Sequence, residues 1–396
     1  MWGPALGLPP RLTLSVLGPG RCCILGSGAS MRKDLRGRNR RGFSDFHPQP
    51  LSDLDCEESP SWVSKSRSEP TRHVTSKKLA KALVGTLLGH YRPSRQLLLE
   101  CNPGPGILTE ALLKAGAKVV ALESGKTFIP HLESLRKILD GELQVVHCDF
   151  FKMDPRNQEL IRPELSSHKL FQNLGVKAAA WSAGVPLKIF GILPSKYERK
   201  ILWKIVYDLY SCASIYRYGR IELNLFIGDR EFKKLTATPQ RPDLYHVLSV
   251  LWQVACEIKI LRMEHWSSFG LYTESGHLEK SKRRDPLHQM HQNLHLVRMT
   301  PRKTLFTENL NPINYDIFFH MVKHCFGKRN APLLHHLRSL STVDPGDILR
   351  QIRRNPGETV LRMYPQDFKR LFEAIEQSEE TVFKWVYDES LDDIVI

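Results

Sequence analysis

A short apolar run, Gln96-Leu-Leu-Leu-Glu100, breaks into Cys101-Asn-Pro-Gly-Pro-Gly106. Ile107 to Ala115 then carries a helical pattern, and a second apolar run follows, Lys118-Val-Val-Ala-Leu-Glu123. The order strand, glycine loop, helix, strand, closed by an acid, confines the segment to a parallel α/β unit of the Rossmann type. Gly104 and Gly106 let the backbone turn tightly and meet a ligand with no Cβ in the way. Glu123 follows the loop by about 20 residues, where a carboxylate can hold both hydroxyls of a ribose. The place of a dinucleotide fingerprint's third glycine is taken by Thr109. The helix start is therefore not prepared for close packing beside a pyrophosphate. S-adenosylmethionine, a nucleoside cofactor, has none. A third strand, Leu143 to His147, leads to Asp149. A carboxylate there can accept from an adenine amino group, or equally cap a turn. Upstream, Leu79, Ala82, Leu83, Thr86 and Leu87 recur at helical spacing between Thr75 and His90.

The chain's 396 residues exceed one small domain. The reading is a transit segment over 1–42, a linker over 43–70, a cofactor-binding domain over 71–300 and a helical, basic domain with an acidic tail over 301–396. The net charge of +15 points to a polyanionic partner, nucleic acid above all, unless the basic start alone inflates it. That start has no Asp or Glu before Asp34, spreads Arg11, Arg21, Arg32 and Lys33 among Leu, Ser and Gly, and is broken by Pro9, Pro10 and Pro19. Mitochondrial import recognises such segments; the alternative is a disordered nuclear tail. No apolar run approaches the roughly 20 residues needed to cross a bilayer, so no membrane span is expected. The eight cysteines form no Cys-x-x-Cys pair, the usage of a reducing compartment. His320, His324 and Cys325 could share one helical face, which reads as packing or a solvated face and not as a metal site.

The loop Glu100-Cys-Asn-Pro-Gly-Pro-Gly-Ile-Leu-Thr109 resembles the Glu-x-Gly-Pro-Gly-x-Gly-x-Leu-Thr pattern of the rRNA adenine dimethyltransferases, with Asn102 where the family has glycine. The resemblance runs from about residue 70 to 375. It implies a Rossmann-like S-adenosylmethionine-dependent methyltransferase domain followed by a smaller helical domain. It places cofactor contacts at Val74, Gly104, Gly106, Glu123 and Asp149, Val74 lying in the counterpart of an upstream Gln-x-Phe-Leu element. The family's catalytic Phe-Gly-Asn-Leu-Pro-Tyr corresponds to Phe190-Gly191-Ile192-Leu193-Pro194-Ser195. Adenine's exocyclic nitrogen is a poor nucleophile, because its lone pair is delocalised into the ring. Acceptors that hold its hydrogens restore density to nitrogen, while an aromatic ring stacks on the flipped base. Ile192 removes the side-chain acceptor and Ser195 removes the ring. Losing one electrostatic stabiliser costs on the order of 10²- to 10³-fold in rate. A stacked base is worth roughly 1–3 kcal/mol.

The altered motif, the basic start and the long insertion between Phe151 and Val185 resemble a mitochondrial branch of this family. That resemblance implies promoter melting in the matrix nucleoid. The implied partners are the mitochondrial RNA polymerase, promoter DNA and the high-mobility-group-type mitochondrial transcription factor A. Methylation of mitochondrial small-subunit rRNA would be a retained or residual activity. The rival from another class is a working dimethyltransferase of adjacent adenosines in that rRNA, which an intact Glu123 and Asp149 leave open. In the carboxyl-terminal half, Tyr245 to Ala255 and Trp266-Ser-Ser-Phe269 match the family's later segments. Gly327-Lys328-Arg329 falls on a basic family signature, so Lys328 and Arg329 are the expected phosphate contacts. Lys282-Arg-Arg284 and Arg353-Arg354 add charge. The last stretch, from Glu373 to Asp393 around Phe383, Trp385 and Tyr387, reads as a protein contact, a competitor for the basic surface, or a frayed helix.

Overall fold

The computed structural model describes residues 71–89, 97–139, 142–155, 165–273, 275–278, 293–378 and 384–386. The expected transit segment and linker, Lys282 to Arg284 and most of the acidic tail lie outside them. The chain divides into Met1–Ser64 and Lys65–Ile396, and the described residues belong to the second unit.

The elements run β1 (Thr71–Val74), α1 (Lys77–Leu88), β2 (Leu97–Cys101), α2 (Ile107–Lys114), β3 (Lys118–Glu123), α3 (Ile129–Ile138), β4 (Leu143–His147) and α4 (Ser167–Asn173). They continue with β5 (Leu187–Ile192), α5 (Glu198–Tyr210), β6 (Glu222–Gly228), α6 (Asp229–Leu235), α7 (Val247–Ala255), β7 (Cys256–His265), β8 (Phe269–Tyr272) and β9 (Asn293–Pro301). Four helices follow, α8 (Tyr315–Gly327), α9 (Leu333–Leu340), α10 (Pro345–Gln351) and α11 (Pro365–Gln377).

The main sheet has the order β4-β3-β2-β5-β6-β9-β7, the first five strands parallel and β9 antiparallel to both neighbours. Its central strands are apolar on both sides because helices cover both faces. Alternation divides them cleanly. Leu98, Val119, Ala121 and Phe190 pack with α1, α2 and α3, while Leu99, Val120, Leu122 and Ile189 pack with α5, α7, α8 and α11. The carboxyl-terminal helices therefore share a core with the sheet. Phe319 lies 4.7 Å from the Tyr207 ring and 4.8 Å from that of Tyr210, and the buried Tyr245 hydroxyl donates to the Met363 carbonyl at 2.8 Å.

A separate two-stranded ribbon pairs β1 with β8, Val74 opposite Phe269 and His73 opposite Gly270. Two residues after β1, Ser76 caps α1, its hydroxyl accepting from the Leu79 amide at 3.3 Å. The ribbon thus leads straight into a helix packed on the sheet, and a side chain on β1 can face the glycine loop.

Candidate cofactor and nucleic-acid site

In an open parallel sheet ligands bind beyond the carboxyl ends of the strands, where the strand order reverses. Here that point lies between β2 and β5. Along this edge Asp149 follows β4, Glu123 ends β3, the glycine loop follows β2 and Ile192 ends β5. Sheet spacing of ~4.8 Å spreads these positions over three strand intervals.

The loop is pinned by the two acids beneath it. The Gly104 amide donates to Glu123 Oε2 at 2.8 Å and the Gly125 amide to Oε1 at 2.6 Å. Asn102 has φ +50°, and its side-chain oxygen accepts from the Ser124 amide at 3.2 Å. This residue, the departure from the family's glycine, ties the loop to β3. Thr109, in the first turn of α2, donates to Glu100 Oε2 at 2.7 Å, both groups being buried. Burial pushes the Glu100 carboxyl up to about 8, against the Thr109 bond and helped by the charge of Glu123. Glu123 is also raised by burial, against the Gly125 and Gly104 amides.

These acids fit the nucleoside part of S-adenosylmethionine in position and chemistry. The Glu123 carboxylate accepts from the Gly104 and Gly125 amides, with the Ser124 amide also bearing on it, and its roughly four lone-pair sites leave capacity for a ribose hydroxyl. Asp149 stands one strand further along, but its oxygens are already engaged: Oδ1 accepts from the Phe151 amide at 3.1 Å and Oδ2 lies 3.2 Å from Lys152 Nζ. The turn-capping reading of Asp149 is thus realised, and an adenine amino group would share the carboxylate. Val74 is buried in the core under α1. Its neighbour His73, to which the family motif gives no role, faces the loop instead, with Nδ1 2.9 Å from the Asn102 carbonyl oxygen. Gly104 has φ +60° and Gly106 φ +72°, so both take the left-handed backbone expected of them.

At the end of β5, Ile192 is half-buried against the same core as Phe190. Leu193 is buried, its amide donating to the Phe226 carbonyl at 3.0 Å. The Pro194 carbonyl accepts from the Tyr197 amide at 3.0 Å, folding the chain back at Ser195. Ser195, Lys196, Tyr197, Arg199 and Lys200 are all exposed, and Lys196 Nζ stands 5.5 Å from the Tyr197 ring centroid. Sequence reasoning centred on the motif misses this basic and aromatic turn, although its three cations and its tyrosine directly follow Ser195 in the chain. Lys328 and Arg329 are exposed at the carboxyl end of α8, with Arg329 Nη1 donating to the Pro242 carbonyl at 3.2 Å. Within the tail, Trp385 is not exposed: it stacks on Phe372 at 5.2 Å and donates to Glu376 Oε1 at 2.7 Å.

Strand order, glycine loop and strand-end acids define a Rossmann-like methyltransferase. The sequence model described as Ribosomal RNA adenine dimethylase matches residues 74–377. The chain belongs to that family, whose members transfer methyl groups from S-adenosylmethionine to rRNA adenines. It is 70% identical over 388 residues to "Dimethyladenosine transferase 2, mitochondrial" of Mus musculus, with 98% of each chain covered. To the protein of the same name from Homo sapiens it is 58% identical over 397 residues, covering 99% of this chain and 100% of the other. A crystal structure of a dimethyladenosine transferase from Plasmodium falciparum shares the fold, with a TM-score of 0.50 at 14% identity over 76% of this chain and 95% of that one. No described helix is long and apolar enough to cross a membrane.

Proposed function

We propose that this chain acts in the mitochondrial matrix nucleoid as a transcription initiation factor, using the methyltransferase fold to hold a separated promoter strand for the mitochondrial RNA polymerase. In this reading promoter DNA already bound by the high-mobility-group-type factor A is the template, and methyl transfer is weak. The observation that carries it is the end of β5. Ile192 presents an apolar side chain where the family motif has an amine acceptor, while Lys196, Tyr197, Arg199 and Lys200 form an exposed basic and aromatic turn beside it. Cations that track phosphates and a ring on which bases stack are the requirements of single-strand binding. Lys328 and Arg329 extend the phosphate contact.

The second reading is a working dimethyltransferase of mitochondrial small-subunit rRNA. Glu123 and Asp149 at the strand ends favour it, as does the name its relatives carry. Bound there, S-adenosylmethionine would supply an electrophilic methyl group. The residues of this chain would contribute a ribose contact at Glu123, an adenine contact at Asp149 and a pinned glycine loop. The test is reconstituted transcription on closed and pre-melted promoters, run beside a methylation assay on the rRNA hairpin. Dependence on the protein confined to closed promoters, with methylation far below that of a working family enzyme, supports the first reading. Full methylation with no effect on initiation supports the second.

A further inference from the structure

We propose that the cofactor cleft is divided, with a nucleoside half read by Glu123 and Asp149 and an amino-acid half filled by the His73 imidazole of the β1–β8 ribbon. The cleft then takes an adenine nucleoside without an amino-acid tail, such as 5′-methylthioadenosine, with the ribbon closed. S-adenosylmethionine is taken only when His73 moves aside. The proposal rests on the assignment of Glu123 and Asp149 to a nucleoside.

The order of the strand ends locates the two halves. With adenine at Asp149 after β4 and ribose at Glu123 on β3, the next position along the sheet edge is the glycine loop after β2. The one beyond it is Ile192, toward which a methyl group must point. The sulfur therefore lies between Glu123 and Ile192, and the amino-acid tail that it carries belongs over Gly104. That space is where glycine normally admits a ligand by lacking a Cβ. Here a Cβ on Gly104 would lie 2.4 Å from His73 Nδ1, 2.5 Å from Cγ and 2.9 Å from Cε1. The imidazole rests directly on the face of the loop.

The ring is held from every side. Nδ1 bonds the Asn102 carbonyl at 2.9 Å, and Nε2 lies 2.7 Å from the Thr71 hydroxyl. Because a carbonyl only accepts, Nδ1 carries the proton and Nε2 accepts from Thr71. Phe128 and Tyr272 pack on the ring at centroid distances of 5.3 and 5.6 Å, and Phe128 meets Tyr272 edge-on at 5.6 Å. His73 is 1% exposed. A neutral imidazole with both nitrogens engaged has neither a charge nor a spare donor to offer the tail's carboxylate. It fills that half of the cleft and does not line it. Tyr272 and Gly270 belong to β8 and His73 to β1, so the ring leaves only if the ribbon shifts.

The test is a calorimetric titration of the full chain, wild type and His73→Ala, with S-adenosylmethionine and with 5′-methylthioadenosine. Wild type should bind methylthioadenosine at least as tightly as S-adenosylmethionine. His73→Ala should tighten S-adenosylmethionine tenfold or more and leave methylthioadenosine within twofold. In wild type alone, the His73 imidazole carbon-bound proton resonance should shift with S-adenosylmethionine and stay in place with methylthioadenosine, a readout that needs no variant. S-adenosylmethionine binding tenfold more tightly than methylthioadenosine to wild type, and more weakly to His73→Ala, would make the ring a contact for the tail and overturn the proposal. Binding of neither ligand by either protein would overturn the nucleoside assignment and the proposal with it.

Discussion

His73 and Glu100 meet opposite protonation problems on the two sides of one loop. Burial lowers His73 from 6.5 to about 4. The folded protein then binds fewer protons than the unfolded chain, so this group's contribution to stability is full above 6.5 and lost as pH falls toward 4. Glu100 is raised from 4.5 to about 8, so its contribution is full below 4.5 and lost as pH rises toward 8. Each unit of separation is worth about 1.4 kcal/mol. Glu100→Gln keeps an acceptor for the Thr109 hydroxyl and removes the ionisation. Its stability relative to wild type, from urea unfolding, should rise steadily as pH goes from 4.5 to about 8, between the unfolded and folded values of this carboxyl; a constant or shrinking difference contradicts the assignment. At Gly104 two costs separate. An alanine there would adopt φ +60° and drive its Cβ into the His73 ring. The left-handed backbone costs roughly 1–2 kcal/mol whatever surrounds it. Only the collision should be relieved by His73→Ala, so unfolding of the two single variants and the double variant should be non-additive in the relieving direction. Strict additivity would mean that the ring does not rest on the loop.

The elements that form from their own neighbours are legible in the sequence. The apolar runs read at Gln96–Glu100, Lys118–Glu123 and Leu143–His147 are bounded by turns, and strands stand there at Leu97–Cys101, Lys118–Glu123 and Leu143–His147. Gly104 and Gly106 likewise take the positive φ that a tight cofactor loop requires. The β1–β8 ribbon is not legible. Its strands are four residues each and far apart in the chain, and nothing in Thr71–Val74 says that its partner is Phe269–Tyr272. The upstream motif points to Val74, whose side chain is core, and away from His73, because alternation along a strand is visible only once the strand's faces are known. The Lys196 to Lys200 turn escapes for a different reason: Ile192 and Ser195 define what the motif lacks, and nothing in the motif extends to the residues just after it. A lone two-stranded ribbon is marginal by itself. The amides of Thr71–Val74 and Phe269–Tyr272 should therefore exchange with solvent at a common rate, well ahead of β2 and β3, as one locally opening unit. Exchange of β1 in step with the central sheet would contradict the ribbon's independence.

Across the whole molecule, one sheet edge carries both the proposed nucleoside cleft and a basic turn, and mutation should separate the two. Binding of single-stranded DNA should weaken steeply with salt, since each neutralised phosphate releases counterions. Replacing Lys328 and Arg329 with alanine should flatten the logarithmic salt slope by about one unit for each phosphate no longer neutralised. An unchanged slope would remove those residues from the interface. Restoring the motif with Ile192→Asn and Ser195→Tyr should raise methylation of the rRNA hairpin, on the order of 10²-fold for the acceptor. A wild type that already matches a working family enzyme would show that backbone carbonyls suffice. The most direct test of the central claim, that the fold serves transcription as a scaffold, compares two variants in one reconstituted assay. Glu123→Gln would weaken the proposed ribose contact and keeps one oxygen to accept a loop amide, the other amide then facing an NH2 donor; Lys328→Ala with Arg329→Ala removes the proposed phosphate contacts. The account predicts near-normal initiation with the first, and with the second a defect on closed promoters that pre-melted promoters largely restore. Initiation abolished by a folded Glu123→Gln protein, with the basic pair dispensable, would contradict it.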